Sequence, residues 1–184
     1  MGRSKSSSQR GIINKITIFL VSAILMLVAS CSLMYFNAQP YVYANIAGLF
    51  IFSIYFGTAQ SLVFVCIMQI IMIKTGLATE FLSYSFILWV TDVLIIKISQ
   101  SGIPKKISKN KETNLIAVII LSVAAMSILS KPISIGAFNW IQGSGRIIGK
   151  FISKEILLEQ LKLFGASGIV TFIFYKIFNR FNRY

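Results

Sequence analysis

Ten polar or aromatic residues of this chain could form a binding site for a small polar molecule. Most lie in two stretches, residues 37–45 and 136–155, where amides, phenols and glycines interrupt a largely apolar sequence. Pockets for small molecules combine apolar walls with a few polar groups of this kind. The candidate substrate-binding residues are Asn37, Gln39, Tyr41, Asn45, Tyr84, Asn139, Trp140, Gln142, Arg146 and Glu159.

Catalysis and metal binding are not expected. The chain has no histidine, which removes histidine-dependent triads and the usual transition-metal sites. Cys31 and Cys66 lie inside apolar runs without metal-ligand spacing, so we expect buried thiols. The segment GSGRIIGK lacks the spacing and the final hydroxyl of a phosphate-binding loop. We predict no catalytic residue, no metal and no cofactor, and a protein that is not an enzyme.

The composition predicts that lipid is the solvent for most of the chain. Of its 184 residues 56% are hydrophobic and 12% are charged, and the mean hydropathy is +0.79, whereas soluble proteins average roughly 25% charged residues. Eighteen Lys and Arg against five Asp and Glu give a net charge of +13. Because these cations mostly flank apolar runs, they indicate membrane orientation and contact with the lipid bilayer, and nucleic acid is not an expected partner.

Asp92 is the only acidic residue well inside an apolar run. An ionisable group at such a position is costly in lipid and suggests a function by default. The alternative is structural, with Asp92 paired to Lys97 or to a backbone amide near the membrane boundary. The sequence leaves both interpretations open.

The first two apolar segments of the chain, residues 16–36 and 41–73, carry no charged residue. Residues 16–36 are long enough for one transmembrane helix. Their basic start and the sequence before Cys31 also imitate a signal peptide and a lipidation site, but more apolar sequence follows, so we expect this segment to be retained as a helix. Residues 41–73 would form a helix of roughly 50 Å, which is too long for one hydrocarbon core of about 30 Å.

The basic residues decide how often the chain crosses the bilayer. Those in residues 1–15 and 99–114 are typical of cytoplasmic segments. An even number of spans must separate the two, so residues 41–73 are expected to cross twice, with a turn at Gly57–Gln60. Pro132 is expected to end the fifth helix, because proline disfavours helix in the residue before it.

We therefore predict an all-α integral membrane protein of the bacterial plasma membrane, a bundle of six transmembrane helices with both termini cytoplasmic. The helices are expected at residues 16–36, 41–57, 58–74, 81–98, 115–131 and 156–178, between a disordered basic leader (1–15) and a cytoplasmic basic tail (179–184).

On this topology the two polar stretches lie together on the outer face, and their role has two interpretations. Tyrosines at a membrane boundary are often interface anchors, and the spacing of Arg146, Lys150 and Lys154 is typical of an interfacial amphipathic helix. Alternatively, these residues line an outward-facing pocket together with the charged stripe at 155–162, which includes Glu159.

A basic start and a first helix with small residues precede the segment YANIAGLFIFSIYFGTAQSLVF, residues 43–64. This arrangement resembles helix 2, the glycine turn and helix 3 of the substrate-binding S components of energy-coupling factor (ECF) vitamin transporters. The resemblance implies six helices, a vitamin-like metabolite held between outer loops, and as partners a transmembrane coupling protein and two ATPase subunits. One difference is that Ser22, Ala23 and Ala29 do not form the Ala-xxx-Ala pair of the family's first helix.

Two other classes compete with a transporter subunit. A non-catalytic structural protein of a cell-envelope assembly complex would share the composition and topology. A membrane enzyme acting on lipid-linked substrates ranks last, because the sequence has no histidine and no recognisable nucleophile arrangement.

Overall fold

The computed structural model describes residues 3–36, 42–78, 82–102, 111–143 and 154–181, and this part of the chain is all-helical. Its six helices are α1 (Arg3–Phe36), α2 (Val42–Tyr55), α3 (Thr58–Lys74), α4 (Tyr84–Gly102), α5 (Lys111–Gln142) and α6 (Lys154–Phe181). Three of them contain segments long and apolar enough to span a membrane: Gly11–Cys31, Glu112–Ile141 and Lys154–Arg180. The described part of the chain is therefore all-helical, and three of its helices have the length and apolar composition of membrane-spanning helices.

Helix α2 lies at the centre of the bundle. It packs against α1, α3, α4 and α6, and its residues are apolar on every side, which is typical of a helix buried on all faces. The buried residues are Ile46, Ala47, Leu49, Phe50, Ile51, Phe52 and Ser53. Helix α5 packs on α4 and α6. The helices around α2 present large apolar side chains outward, as helices in lipid do.

Side-chain contacts define two ends of the bundle. At one end, Lys97 in the last turns of α4 donates a hydrogen bond to the Phe56 carbonyl in the α2–α3 turn. At the same end, Glu112 at the start of α5 forms an ion pair with Lys176 near the end of α6. We call this the turn end. At the opposite end Ser30 of α1 donates to Met72 of α3.

The uncharged stretch at 41–73 forms two helices joined by a sharp turn. Helix α2 ends at Tyr55, and Gly57 has an extended backbone that starts α3. The Gln60 side-chain oxygen accepts a hydrogen bond from the Gly57 N–H at 3.0 Å, so the side chain of the third helical residue satisfies a backbone donor at the turn. The break thus falls where the glycine and small polar residues predicted it.

Two glycines allow close approach of neighbouring helices. At Gly48 of α2, a Cβ atom would overlap the backbone carbonyl oxygen of Ser22 on α1. At Gly168 of α6, a Cβ atom would lie 2.8 Å from a methyl carbon of Ile119 on α5. Small residues at such positions are typical of helices that pack in lipid, where close van der Waals contact replaces hydrophobic burial as the driving force.

The prediction that Pro132 ends the fifth helix is wrong, because α5 continues through it to Gln142. Proline removes one backbone hydrogen bond, that of its missing N–H. A helix end at this point would instead leave several carbonyl groups without partners in apolar surroundings, which costs more. Hydroxyls supply extra bonds nearby, since Ser134 donates to the Ser130 carbonyl at 2.6 Å. Residues 136–142, predicted as part of an outer loop, are therefore helical.

Other helix boundaries also differ from the prediction, and the start of α1 differs most. The leader at residues 1–15 was expected to be disordered, yet α1 begins at Arg3. Once a helix exists, each added residue gains a hydrogen bond at little cost, so an apolar helix readily extends into a polar flank. The fourth helix was expected at 81–98 and runs from Tyr84 to Gly102, because its serine-rich ends shift the boundary by one turn.

Candidate functional site

A polar network joins α3 and α4 at the opposite end of the bundle. Gln69 of α3 is completely buried, and its side-chain amide donates to the Ser83 hydroxyl oxygen at 3.1 Å. Ser83 precedes α4, where its oxygen also accepts from the Phe86 N–H at 3.4 Å and lies 2.9 Å from the hydroxyl of Ser85. Ser83 thus caps α4 and connects it to α3.

An aromatic contact beside this network joins α4 to α5. The rings of Tyr84 and Phe138 meet edge to face, with centroids 5.9 Å apart. Asn139 and Trp140 follow Phe138 in the last turns of α5. Asn139 is half-buried, whereas Trp140 is 87% exposed. Tyr84, Asn139 and Trp140, three of the ten predicted binding residues, therefore lie at this end.

Three more predicted residues lie at the opposite end. Asn45 is in the first turn of α2 and Gln142 is the last residue of α5. Glu159 is exposed on α6, within its second turn. Asn37, Gln39, Tyr41 and Arg146 lie outside the described residues. The predicted basic stripe consists of Arg146, Lys150 and Lys154. Only Lys154 lies among the described residues, as the first residue of α6.

Asp92 is completely buried between α4 and α5. The hydroxyl of Ser130, itself completely buried, donates to its Oδ1 atom, while the Oδ2 atom has no hydrogen-bond partner among the described residues. Ser130 is thus the partner of Asp92, and the alternative in which Asp92 pairs with Lys97 does not hold. The two side chains point to different neighbours, because Asp92 faces α5 whereas Lys97, five residues further along α4, faces the end of α2.

Lys97 and Gln100 bind the carbonyl end of α2. The ammonium group of Lys97 donates to the carbonyl oxygens of Ser53 and Phe56 and to the side-chain oxygen of Gln100, the last at 2.9 Å. Gln100 donates to the Ile54 carbonyl at 3.4 Å. The last carbonyls of a helix lack intrahelical partners, and a cation there also interacts favourably with the helix dipole. These two residues of α4 therefore fasten the end of α2.

Sequence reasoning missed the polar residues on the inner faces of α3 and α5. Ser127, Ser130 and Ser134 are buried and recur at intervals of three and four, which places them on one face of α5. Gln69 is a single amide within an apolar run. Both features were visible in the sequence as polar residues at positions where lipid contact would be unfavourable.

The Gln69–Ser83 network and the rings beside it offer hydrogen bonds and aromatic surface. Amide, hydroxyl and phenol groups can orient a small polar molecule without reacting with it. In the described segments no group of three or more His, Cys, Asp or Glu could hold a metal ion. No family model, no curated protein and no solved structure matches this chain.

Proposed function

We propose that the chain is the membrane-embedded substrate-binding subunit of an ECF-type importer in a bacterial plasma membrane. In this proposal all six helices cross the bilayer and both termini are cytoplasmic. The turn end faces the cytoplasm, and the opposite end captures a small polar, vitamin-like metabolite from outside.

The distribution of basic residues supports this orientation. Eight Lys and Arg of the described segments lie on the halves of their helices nearer the turn end: Arg3, Lys5, Arg10, Lys15, Lys97, Lys111, Lys176 and Arg180. Four lie on the halves nearer the opposite end: Lys74, Lys131, Lys154 and Lys162. Basic residues are enriched on the cytoplasmic side of membrane proteins, so the turn end is the cytoplasmic one in our proposal.

The short central helix is compatible with a crossing. Helix α2 has 14 residues, about 21 Å at 1.5 Å per residue, against a hydrocarbon core of about 30 Å. A helix that ends within the bilayer needs partners for its last carbonyl groups. Lys97 and Gln100 supply them from α4, so α2 can end below the membrane surface.

The observation that carries the substrate-binding role is the buried Gln69–Ser83 hydrogen bond beside the Tyr84–Phe138 contact. Amides, hydroxyls and aromatic rings from three helices gather at the end that we place outside. The proposed ligand is therefore uncharged or weakly charged, with several hydrogen-bonding groups.

Energy for uptake would come from partners. The resemblance implies a transmembrane coupling protein and two ATPase subunits, and the chain itself carries no recognisable nucleotide-binding loop. We therefore place it as a binding subunit that depends on these partners for transport.

Copurification tests the proposal. The full chain is purified in mild detergent from cells grown in rich medium, and extracted small molecules are identified by mass spectrometry. We expect one bound metabolite, and we expect that metabolite to raise the melting temperature of the emptied protein. A protein that is always empty and is not stabilised by any member of a vitamin panel would contradict the transporter role and favour the structural alternative.

Variants locate the site. Asn139→Ala and Glu159→Ala are expected to weaken binding of the copurified metabolite, and Gln69→Leu to do so more strongly because it removes a buried donor. Asn179→Ala, near the turn end of α6, is the matched control and should bind normally. Normal affinity in all three test variants would show that the site lies elsewhere.

A further inference from the structure

An open apolar groove lies between α1, α2 and α3 near the turn end. Its cavity volume is about 330 Å³, at the lower end of the range of small-molecule pockets. Helices α1 and α3 meet along only part of their lengths, at Phe19–Phe64 and at Ser30–Met72. The residues that line it are Phe19, Phe52, Phe56, Ala59, Gln60, Val63, Phe64 and Ile67.

Stacked phenylalanine rings form the floor of the groove. The ring of Phe52 is parallel to those of Phe56 and Phe64, with centroids 4.2 Å and 4.0 Å away. Phe19 of α1 meets Phe64 edge to face at 5.5 Å. Phe52 and Phe64 are almost completely buried, so packing holds the floor in place before anything binds.

The outer side of the groove is open and its chemistry is apolar. Val63 is 57% exposed and Ile67 is 36% exposed. Gln60 is the only polar lining residue, and its side-chain oxygen already accepts the Gly57 N–H. A molecule lying in this groove would therefore gain from apolar contact along its length and would find few hydrogen bonds.

Lys15 places a positive charge one helical turn from the groove residue Phe19. Lys15 is exposed and precedes Phe19 by four residues on α1, so the two side chains lie on one face of the helix. Residues 1–79 contain no acidic residue at all, and the nearest acid at the turn end, Glu112, is paired with Lys176. The groove thus combines an apolar channel with an unopposed cation.

We propose that this groove binds one anionic phospholipid, with an acyl chain along the phenylalanine floor and the headgroup phosphate at Lys15. The apolar segment Gly11–Cys31 of α1 includes both Lys15 and Phe19, so the groove lies at the depth of the lipid layer nearest the turn end. A lysine in that position extends its ammonium group toward the headgroups. The proposal depends on the membrane location of the chain and not on substrate transport.

Native mass spectrometry tests this lipid site. The full chain is reconstituted in vesicles of an equal mixture of phosphatidylglycerol and phosphatidylcholine with the same acyl chains, extracted in mild detergent, and the retained lipids are counted. We expect one retained lipid with a preference for phosphatidylglycerol. Lys15→Gln should reduce that preference about fivefold, the effect of one basic residue at an anionic surface, and Lys74→Gln at the opposite end should not.

Filling the groove should displace the lipid. Val63→Trp places a large side chain into the open side and is expected to lower the retained lipid, while Ile120→Trp, at a residue of α5 that is 64% exposed, is the matched control. An unchanged lipid count in Val63→Trp, or no preference for phosphatidylglycerol in the unmodified chain, would overturn the site. Retention of a protein segment in place of a lipid would overturn it as well.

Discussion

Ser130 of α5 donates its hydroxyl hydrogen to the carboxylate of Asp92 on α4, and both side chains are completely buried. The bond ties two neighbouring helices at a level where water is excluded. It also leaves Asp92 Oδ2 without a hydrogen-bond partner among the described residues. A buried carboxylate with one satisfied oxygen depends strongly on that single donor, because nothing else offsets its loss of hydration.

Removing the donor should destabilise the bundle. Ser130→Ala is expected to lower the free energy of unfolding by about 1–3 kcal/mol, the usual cost of leaving a buried polar group unsatisfied. Ser127→Ala is the matched control, since that hydroxyl donates only to the Val123 carbonyl of its own helix, at 2.7 Å, and its loss should cost less. Unfolding in mixed detergent micelles measures both. Equal losses in the two variants would show that the bond to Asp92 contributes little.

Replacing both partners tests the same contact in another way. The double variant Asp92→Leu with Ser130→Ala should be more stable than Ser130→Ala alone, because neither position then holds a buried polar group that lacks a partner. The same unfolding assay reports the difference. A double variant less stable than either single variant would mean that Asp92 has a further partner or ligand.

The approach of α1 to α2 at Gly48 should tolerate no side chain. Gly48→Ala is expected to cost about 1–3 kcal/mol, because the added methyl group overlaps the Ser22 carbonyl and the helices must move apart. Gly165→Ala on α6 is the control. A Cβ there meets nothing within 4 Å, so the change should be neutral or stabilising by up to about 1 kcal/mol. Thermal unfolding in detergent compares the two, and similar shifts would contradict the close packing.

Loss of Lys97 should loosen the end of α2. Lys97→Met keeps an apolar chain of similar length but leaves the Ser53 and Phe56 carbonyls without their donor. We expect hydrogen exchange to accelerate across residues 53–60, and stability to fall by about 1–3 kcal/mol. Lys74→Met, at the exposed end of α3, should leave exchange in that segment unchanged. Protection that survives in Lys97→Met would mean that Gln100 alone holds the turn.

Site-directed labelling checks the six-span orientation. In a chain with Cys31 and Cys66 replaced by alanine, Ser108→Cys should react with a membrane-impermeant maleimide only after the cells are opened, while Ser144→Cys should react in intact cells. The reason is the bias of basic residues toward the cytoplasm. Labelling of Ser108→Cys in intact cells would reverse or abolish the proposed topology.

Much of the helical framework could be predicted from the sequence, and the errors have physical causes. Residues 41–73 were correctly divided near Gly57 because a helix of that length cannot fit one bilayer and a glycine with small polar neighbours favours a turn. Pro132 misled the prediction, since its local preference was outweighed by the need to keep backbone groups paired in apolar surroundings. Asn139 and Trp140 were expected in a loop for that reason, and they lie on α5 instead.

The candidate site could be anticipated only in part. Tyr84, Asn139 and Trp140 were chosen from residue type and topology, and they lie at the same end of the bundle. Gln69 and Ser83 were not predicted as site residues. A single amide in an apolar run does not show which residue of a neighbouring helix it will contact. Its partner lies 14 residues away, beyond a change of chain direction.

The sequence by itself predicted apolar helices long enough to cross a membrane, the helical class, and the break between α2 and α3, and the structure agrees with all three. These follow from composition and local preference, which act over a few residues and need no knowledge of neighbours. Only the tertiary structure decided which polar groups meet: Asp92 with Ser130 across 38 residues, and Lys97 with Ser53 across 44. A buried polar side chain must find a partner in lipid, but the crossing of packed helices, and not the order of the sequence, decides which partner lies within reach.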